Sequence, residues 1–321
     1  MITNYTHFGL IFTAQDVKNA QISRDQAPYA AAWAQFEAMQ VSPELQNTPA
    51  GACVYDALRW RLLGDVEAGV RALGALVLLW EFVSTESTPY VNWLKTWLGT
   101  VQAYECLRDH PAYESNLHRR LYEAASQWAG VLTPQPSEES IPQNNAWLCA
   151  VRMAVGVALD DSALVESTVA EVRAIIDSIH PAGFIPRVIN PKPTDPTNFL
   201  DSLQTIHGLT LATEIAAHAG IDLWGHQKRS VSLMTAAFYP LYYYYYPEKW
   251  KWGEGLTFEQ SQGAIKSAAG YLEIVNRRRP NVHAVKMILA ELRPVIDLTC
   301  GGALTLTHQP SRPQKRGWFG R

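Results

Sequence analysis

The chain has 321 residues, of which 47% are hydrophobic, so it is long enough to bury a large core. Its formal net charge of −3 excludes the general basic field that a nucleic-acid-binding surface requires. The four cysteines, Cys53, Cys106, Cys149 and Cys300, lie far apart and form no CxxC pair, which argues against a zinc ribbon or a disulfide framework.

The first segment, MITNYTHFGLIFTAQDV, has no basic region and only a short apolar run at residues 8–12, so we predict no signal peptide. The chain contains no apolar run of about 18 residues, which predicts neither a transmembrane helix nor a membrane partner. As written, the chain is expected to be cytoplasmic, or periplasmic or secreted if a leader has been removed.

The apolar residues recur with a helical period along most of the chain, which predicts about eleven helices. The first helical stretch, residues 13–39, opens with the capping-box-like TAQD and is expected to break near Pro28. The other helices are predicted at residues 50–63, 65–83, 89–108, 112–132, 145–159, 161–179, 200–219, 227–239, 258–275 and 281–292.

Two tight turns between predicted helices look alike, LLGDVEAG at residues 62–69 and ALDDSALV at residues 158–165. In both, an aspartate is the expected N-cap of the next helix. Repeated antiparallel helix pairs are typical of a solenoid or a closed α/α toroid. Because no strict sequence period is present, we predict an all-α fold that is a closed α/α toroid and not a regular solenoid. One domain is expected over residues 1–308, followed by a basic, flexible tail at residues 309–321.

Three segments interrupt the helical pattern. Residues 133–143 are polar and contain prolines, residues 181–199 contain five prolines, and residues 242–255 are dense in tyrosine and tryptophan. A long irregular loop inside a compact domain is usually functional, so these segments are candidates for the site.

The first of these segments leads into three consecutive amides, Gln143, Asn144 and Asn145, at the start of a predicted buried helix. One capping residue is enough for a helix end. Three amides therefore indicate either a capped turn or a turn that faces a ligand.

Several segments, in order, resemble the alginate-lyase-like polysaccharide lyases, whose fold is an incomplete α/α toroid. They are HFGLIFTAQDVKNAQ, DALRWRLLGDVEAGVRALGAL, NNAWLCAVRMAVGVALDDSAL, GFIP, LATEIAAHAGIDLWG and RPVIDLTCGGALTLTH, and they span roughly residues 7–308. The resemblance implies that the chain cleaves an anionic, uronate-containing polysaccharide or oligosaccharide by β-elimination, with no cofactor.

β-Elimination removes the C5 proton of a uronate, and a polar or cationic group must hold the carboxylate so that the developing enolate is stabilised. A base, usually Tyr or His in these relatives, takes the proton, and an acid protonates the leaving O4. In the relatives an Asn is followed by His or Arg. The corresponding residues here are Gln143 and Asn144 or, in a shifted alignment, Asn144 and Asn145 followed by Ala146.

The position of the relatives' base corresponds here to Asp201, and His207 lies six residues further on. Arg187 in the proline-rich loop has a guanidinium suited to clamping a carboxylate, and the tyrosine run at residues 242–246 offers hydroxyl groups. The predicted catalytic residues are His207, Asn144, Gln143, Arg187 and Tyr244. The predicted substrate-binding residues are Asn145, Trp147, Asp201, Trp250 and Trp252.

Each candidate also has a structural interpretation. His207 is a lone histidine in an apolar helix, and such a histidine is often a core residue. The structural alternative for Arg187 is an arginine on the surface. Trp250 and Trp252 resemble sugar-stacking platforms, but they also suit a hydrophobic patch on the rim of the toroid.

Three other functions stay open from the sequence. One is a catalytically altered relative that binds carbohydrate without lyase activity, and another is a helical interaction module. The third is an α/α-toroid glycoside hydrolase, with paired carboxylates drawn from Asp195, Asp201 and Glu254. No HExxH, GxGxxG or phosphate-binding loop is present, so no metal site is predicted.

Overall fold

The computed structural model describes residues 5–39, 49–82, 90–128, 142–186, 188–189, 198–252, 255–299 and 301–310. Over these ranges the chain forms α-helices and no β-strand, apart from two isolated bridges. The helices are α1 Ala14–Ile22, α2 Tyr29–Ala38, α3 Pro49–Leu63, α4 Val66–Phe82, α5 Tyr90–Leu107, α6 Asn116–Gln127, α7 Pro142–Ala158, α8 Ser162–Ser178, α9 Asn198–His218, α10 Leu233–Phe238, α11 Leu241–Tyr245, α12 Phe258–Ser267, α13 Gly270–Arg278, α14 His283–Leu292 and α15 Leu304–Thr307.

The long helices alternate between an inner and an outer position. Helix α3 packs on α5, α5 on α7, α7 on α9 and α9 on α13, while α4 packs back on α3 and α8 packs back on α7. This is the arrangement of an incomplete α/α toroid, and the predicted fold class is confirmed. None of the helices in the described part of the chain combines the length and the apolar composition needed to cross a membrane.

Helix α9 lies at the centre of the core, since residues 202–216 are all buried. One hydrophobic cluster of buried side chains extends from Tyr5 to Leu306. Of the predicted tail, only Gln309 and Pro310 are described, and the Gln309 side chain donates a hydrogen bond to Ser23 Oγ at 2.6 Å.

The caps predicted from the sequence form as expected. Thr13 accepts a hydrogen bond from the amide of Asp16, and the Asp16 carboxylate accepts one from the amide of Thr13, which completes a capping box. Asp65 accepts from the Ala68 amide and Asp161 from the Leu164 amide, each at 3.0 Å, so both predicted Asp turns start a helix.

Several helix boundaries differ from the prediction. The helix predicted at 227–239 begins only at Leu233, because Arg229 and Ser230 adopt left-handed backbone angles that no right-handed helix can contain. The helix predicted at 258–275 divides into α12 and α13, and the tyrosine run, predicted as an interruption, forms the short helix α11. The helix predicted at 112–132 is shorter, because it starts at Asn116 and ends at Gln127.

Candidate functional site

The three consecutive amides lie inside a helix rather than before it. Helix α7 begins at Pro142, three residues earlier than predicted, so Gln143, Asn144 and Asn145 form its first turn. Proline suits this first position because it has no N–H group to leave unpaired there. All three side chains are partly buried. They lie at the N-terminus of α7, which is the positive end of the helix dipole. This turn can therefore donate hydrogen bonds to an anion.

Helix α9 passes very close to this turn at Gly208. A Cβ atom at Gly208 would lie 2.9 Å from the carbonyl carbon of Ala146 and 2.9 Å from the nitrogen of Trp147. Real Cβ atoms do not approach backbone this closely, so only glycine fits here. The contact brings His207, the residue before Gly208, against the indole of Trp147, with ring centroids 5.3 Å apart in an edge-to-face arrangement.

His207 has no exposed surface, and no described residue hydrogen-bonds to either of its ring nitrogens. Burial lowers the pKa of His207 to about 4; Asp297 opposes this shift and Lys95 adds to it. The imidazole is therefore neutral at pH 7. A general base must come within hydrogen-bond reach of its proton, so in this conformation His207 lies behind the site instead of acting as its base.

Trp147, predicted to bind substrate, is also fully buried. It does not offer a face to a sugar ring in this structure. It supports the amide turn from below, because Gln143 and Asn144 lie four and three residues before it, on the same side of the helix.

Lys95 also lies beside these residues, and the sequence reasoning did not single it out. Its ammonium lies 4.7 Å from the centroid of the Trp147 ring, close enough for a cation–π contact. Lys95 is partly buried on α5 and is the single charged residue between residues 89 and 104, flanked by Trp93 and Trp97. That isolated charge in an apolar helix was the signal that could have identified it.

The predicted tyrosine acid or base lies elsewhere. Tyr244 is buried, and its hydroxyl donates a hydrogen bond of 2.5 Å to Glu291 Oε2 on α14. Burial, and then the contact with this carboxylate, raise the pKa of Tyr244 well above its ordinary value. Tyr244 is thus held as a neutral donor to Glu291, and the structure does not support its predicted catalytic role.

The two predicted tryptophan platforms belong to an aromatic cluster near the start of α9. Trp250 is 5% exposed and packs edge-to-face on Phe199 and Tyr243, with ring centroids 5.0 and 4.8 Å away, so the structural interpretation holds for it. Trp252 is partly exposed, and its indole N–H donates to Tyr239 Oη at 3.0 Å. Of the two, only Trp252 keeps a surface available to a ligand.

Of four further candidates from the sequence, Asp201 alone lies within the described part of the chain. Asp201 is partly buried in the first turn of α9, and its backbone carbonyl accepts a hydrogen bond from Thr205 Oγ1. Arg187, Asp195 and Glu254 lie outside the described residues. The structure thus brings together Gln143, Asn144, Trp147 and His207 on α7 and α9, and adds Lys95 from α5.

Solved structures with a similar arrangement of helices include alginate lyases. Alginate lyase A1-III from Sphingomonas species A1 matches with a TM-score of 0.69 and 13% identity, over 84% of this chain and 77% of that chain. An alginate lyase from Bacteroides ovatus matches with a TM-score of 0.69 and 12% identity, over 95% and 100% of the two chains. A variant of A1-III complexed with a tetrasaccharide matches with a TM-score of 0.67 and 13% identity, over 83% and 75%.

At such low identity these likenesses establish the fold, which is that of the α/α-toroid polysaccharide lyases. The sequence model of the alginate lyase family matches residues 13–250, and the chain belongs to this family. None of the curated proteins matches the chain.

Proposed function

We propose that the protein is a lyase that cleaves a uronate-containing polysaccharide or oligosaccharide by β-elimination, in a groove at the first turn of α7, the helix that packs on both α5 and α9. The observation that carries this proposal is the position of the Gln143 and Asn144 amides in the first turn of α7, one helical turn before Trp147, whose ring contacts Lys95. Family membership and the tetrasaccharide complex of a relative support a saccharide ligand.

The amides and Lys95 suit the first requirement of β-elimination. The C5 proton of a uronate is weakly acidic because the adjacent carboxylate is charged. Amide N–H groups donate hydrogen bonds to that carboxylate, and the ammonium of Lys95 compensates its charge. Such donors stabilise the enolate more than the ground state, and each contributes roughly a factor of 10² to 10³ to kcat.

β-Elimination also needs a base that takes the C5 proton of the uronate. His207 has no accessible surface and Tyr244 is bound to Glu291, so neither is positioned to take the C5 proton. Asp201, partly buried at the start of α9, is the candidate base among the described residues.

The test is to incubate the protein with alginate, glucuronan and other polyuronates and follow the ultraviolet absorbance of the unsaturated product. The proposal predicts an increase with at least one polymer, and no increase with any of them would refute it. New reducing ends without that absorbance would indicate a hydrolase instead.

A matched pair of variants examines the amide turn. Asn144→Ala should lower kcat by about 10²-fold or more, because it removes a donor to the enolate. Asn281→Ala should leave kcat unchanged, since Asn281 is exposed in the turn before α14, away from the first turn of α7. Equal activity in the two variants would remove Asn144 from the mechanism.

A second function has one observation in its favour. The two sequence-predicted proton acceptors, His207 and Tyr244, are both buried, which suits a relative that binds carbohydrate without cleaving it. Binding of a uronate oligosaccharide without any ultraviolet product would favour this second function.

A further inference from the structure

The tyrosine run on and directly after α11 divides into buried and exposed side chains. Tyr243 and Tyr244 are buried, whereas Tyr242 and Tyr246 keep 52% and 51% of their surface exposed, and Tyr245 is exposed as well. Single exposed aromatic residues are common on proteins, but three within five positions form a patch, and such patches often mark a binding surface. None of these three exposed tyrosines has a role in the proposed function.

Tyr242 and Tyr246 form a pair of shallowly inclined rings. They are four residues apart, which places them on the same side of a helical turn. Their ring centroids lie 5.1 Å apart, with an interplanar angle of 30°. Because each residue still exposes about half of its surface, the contact between the rings does not cover them. Exposed aromatic faces pack on the apolar face of a pyranose ring, and the tyrosine hydroxyls reach polar partners.

Buried hydrogen bonds hold this pair of rings in place. The Tyr243 hydroxyl donates to Tyr239 Oη at 3.2 Å, and the Tyr243 carbonyl accepts a hydrogen bond from Ser261 Oγ at 2.8 Å. The Tyr244 hydroxyl donates to Glu291 on α14. Helix α11 is thus fixed to three neighbouring segments. A surface that is rigid before binding loses less conformational entropy when a ligand binds, which favours affinity.

Two exposed lysines, Lys249 and Lys251, follow the tyrosine run. The Lys249 amide donates to the Tyr246 carbonyl at 3.0 Å, and the Lys251 ammonium lies 5.9 Å from the centroid of the Trp252 ring. Within the described part of the chain, neither lysine forms an ion pair with a carboxylate. The single acidic residue in this stretch is Glu248, so two positive charges stand against one negative charge, although the whole chain has a net charge of −3. This local excess of positive charge is complementary to an anionic ligand.

We propose that Tyr242, Tyr245 and Tyr246, together with Lys249 and Lys251, form a tyrosine surface that binds an anionic polysaccharide at a second site. The rings pack on sugar faces, and the lysines hold carboxylates. The tyrosine surface is distinct from the amide turn, because α11 packs mainly on α10, α12 and the turn at residues 247–249, whereas the amide turn belongs to α7. The inference rests on the proposed function for the class of ligand, but it needs no cleavage.

Native gel electrophoresis with and without alginate in the gel measures this binding, with Asn144→Ala in every protein so that the alginate stays largely intact. The protein should be retarded by alginate. Tyr242→Ala combined with Tyr246→Ala should weaken the apparent affinity about tenfold, because two ring contacts are lost. Tyr122→Ala, at an exposed position on α6, is the matched control and should not change the retardation. Unchanged retardation in the tyrosine double variant, or no retardation without it, would overturn the inference.

The lysines are tested with salt and with an uncharged polymer. Lys249→Met combined with Lys251→Met should weaken the retardation several-fold and make it less sensitive to salt, because fewer ion pairs remain to be screened. Lys286→Met, at an exposed position on α14, is the matched control. Hydroxyethylcellulose, an uncharged glucan, should retard the protein less than alginate does. Equal retardation by the two polymers would overturn the anionic class of ligand.

Folding and self-association are measured on the same variants. Because Tyr242 and Tyr246 are exposed, the melting temperature of the tyrosine double variant should stay close to that of the wild type. The lysine double variant repeats the binding test without removing an aromatic ring. Sedimentation velocity detects a second copy of the chain on the tyrosine surface. A wild-type dimer that becomes monomeric in the tyrosine double variant would overturn the inference in favour of self-association.

Lyase activity separates this inference from the proposed function. If the wild type forms no ultraviolet product but is retarded through the tyrosine surface, the inference stands and the lyase proposal fails. If the wild type cleaves and the tyrosine double variant is retarded to the same extent, the lyase proposal stands and the inference fails. If both stand, the tyrosine double variant should raise KM for long alginate but not for a uronate tetrasaccharide, which occupies the groove alone. An equal increase in both KM values would overturn the second site.

Discussion

Replacing Gly208 by alanine adds one methyl group where α9 crosses the first turn of α7. The new Cβ would lie 2.9 Å from the carbonyl carbon of Ala146 and from the nitrogen of Trp147, and 3.1 Å from the carbonyl oxygen of Ala146. All three are backbone atoms of a helix, so no side-chain rotation relieves the contact. The two helices must separate, and the amide turn moves away from His207.

The change in the free energy of unfolding caused by Gly208→Ala has two opposing contributions. Overpacking a well-packed core costs about 1–3 kcal/mol, and a contact with backbone belongs at the upper end of that range. Alanine in a helix interior is favoured over glycine by about 1 kcal/mol. We therefore expect Gly208→Ala to lower the free energy of unfolding by about 1–2 kcal/mol.

Gly74→Ala is the matched control. Gly74 lies within α4, is exposed, and has no atom within 4 Å of its ideal Cβ position, so only the helix propensity changes. This variant should gain about 0.5–1 kcal/mol.

Urea unfolding followed by circular dichroism measures both variants, and lyase or binding activity is measured on the same samples. Gly208→Ala should be the less stable of the two and should also lose activity. If Gly208→Ala were as stable as Gly74→Ala, the close approach of α9 to α7 would be refuted, together with the positioning of the amide turn that depends on it.

Two further predictions concern the core around the site. Trp250→Ala should cost about 3–5 kcal/mol because it empties a buried aromatic cluster, whereas Trp252→Ala should cost clearly less because Trp252 is partly exposed; equal costs in urea unfolding would contradict the assigned burial. The pKa of His207 is lowered from 6.5 to about 4 in the folded chain, so between these values the unfolded state binds the additional proton. The stability associated with His207 is therefore complete above pH 6.5 and falls by up to about 3 kcal/mol as the pH drops towards 4. His207→Gln should flatten this dependence of unfolding free energy on pH, and an unchanged slope would count against the burial of a neutral His207.

The sequence determined the features that depend on local interactions. The helical period, the capping box at Thr13 and the Asp caps at residues 65 and 161 follow from hydrogen bonds between residues a few positions apart. The family resemblance and the all-α toroid were predicted from the order of such segments, and both are confirmed. The boundary at Leu233 was missed because left-handed backbone angles at Arg229 and Ser230 leave no periodic signal.

The tertiary structure decided which side chains share the candidate site. Lys95 and Trp147 are more than 50 residues apart in sequence, and they meet only because α5 packs on α7. Tyr244 is directed to Glu291 and Trp250 into an aromatic cluster by the helices that surround them, although both matched a ligand-facing pattern in the sequence. The amides of Gln143–Asn145 were identified from the sequence as a candidate ligand-facing turn. Their place beside α9 depends on the close crossing at Gly208, because long-range packing decides which face of a helix points to the groove.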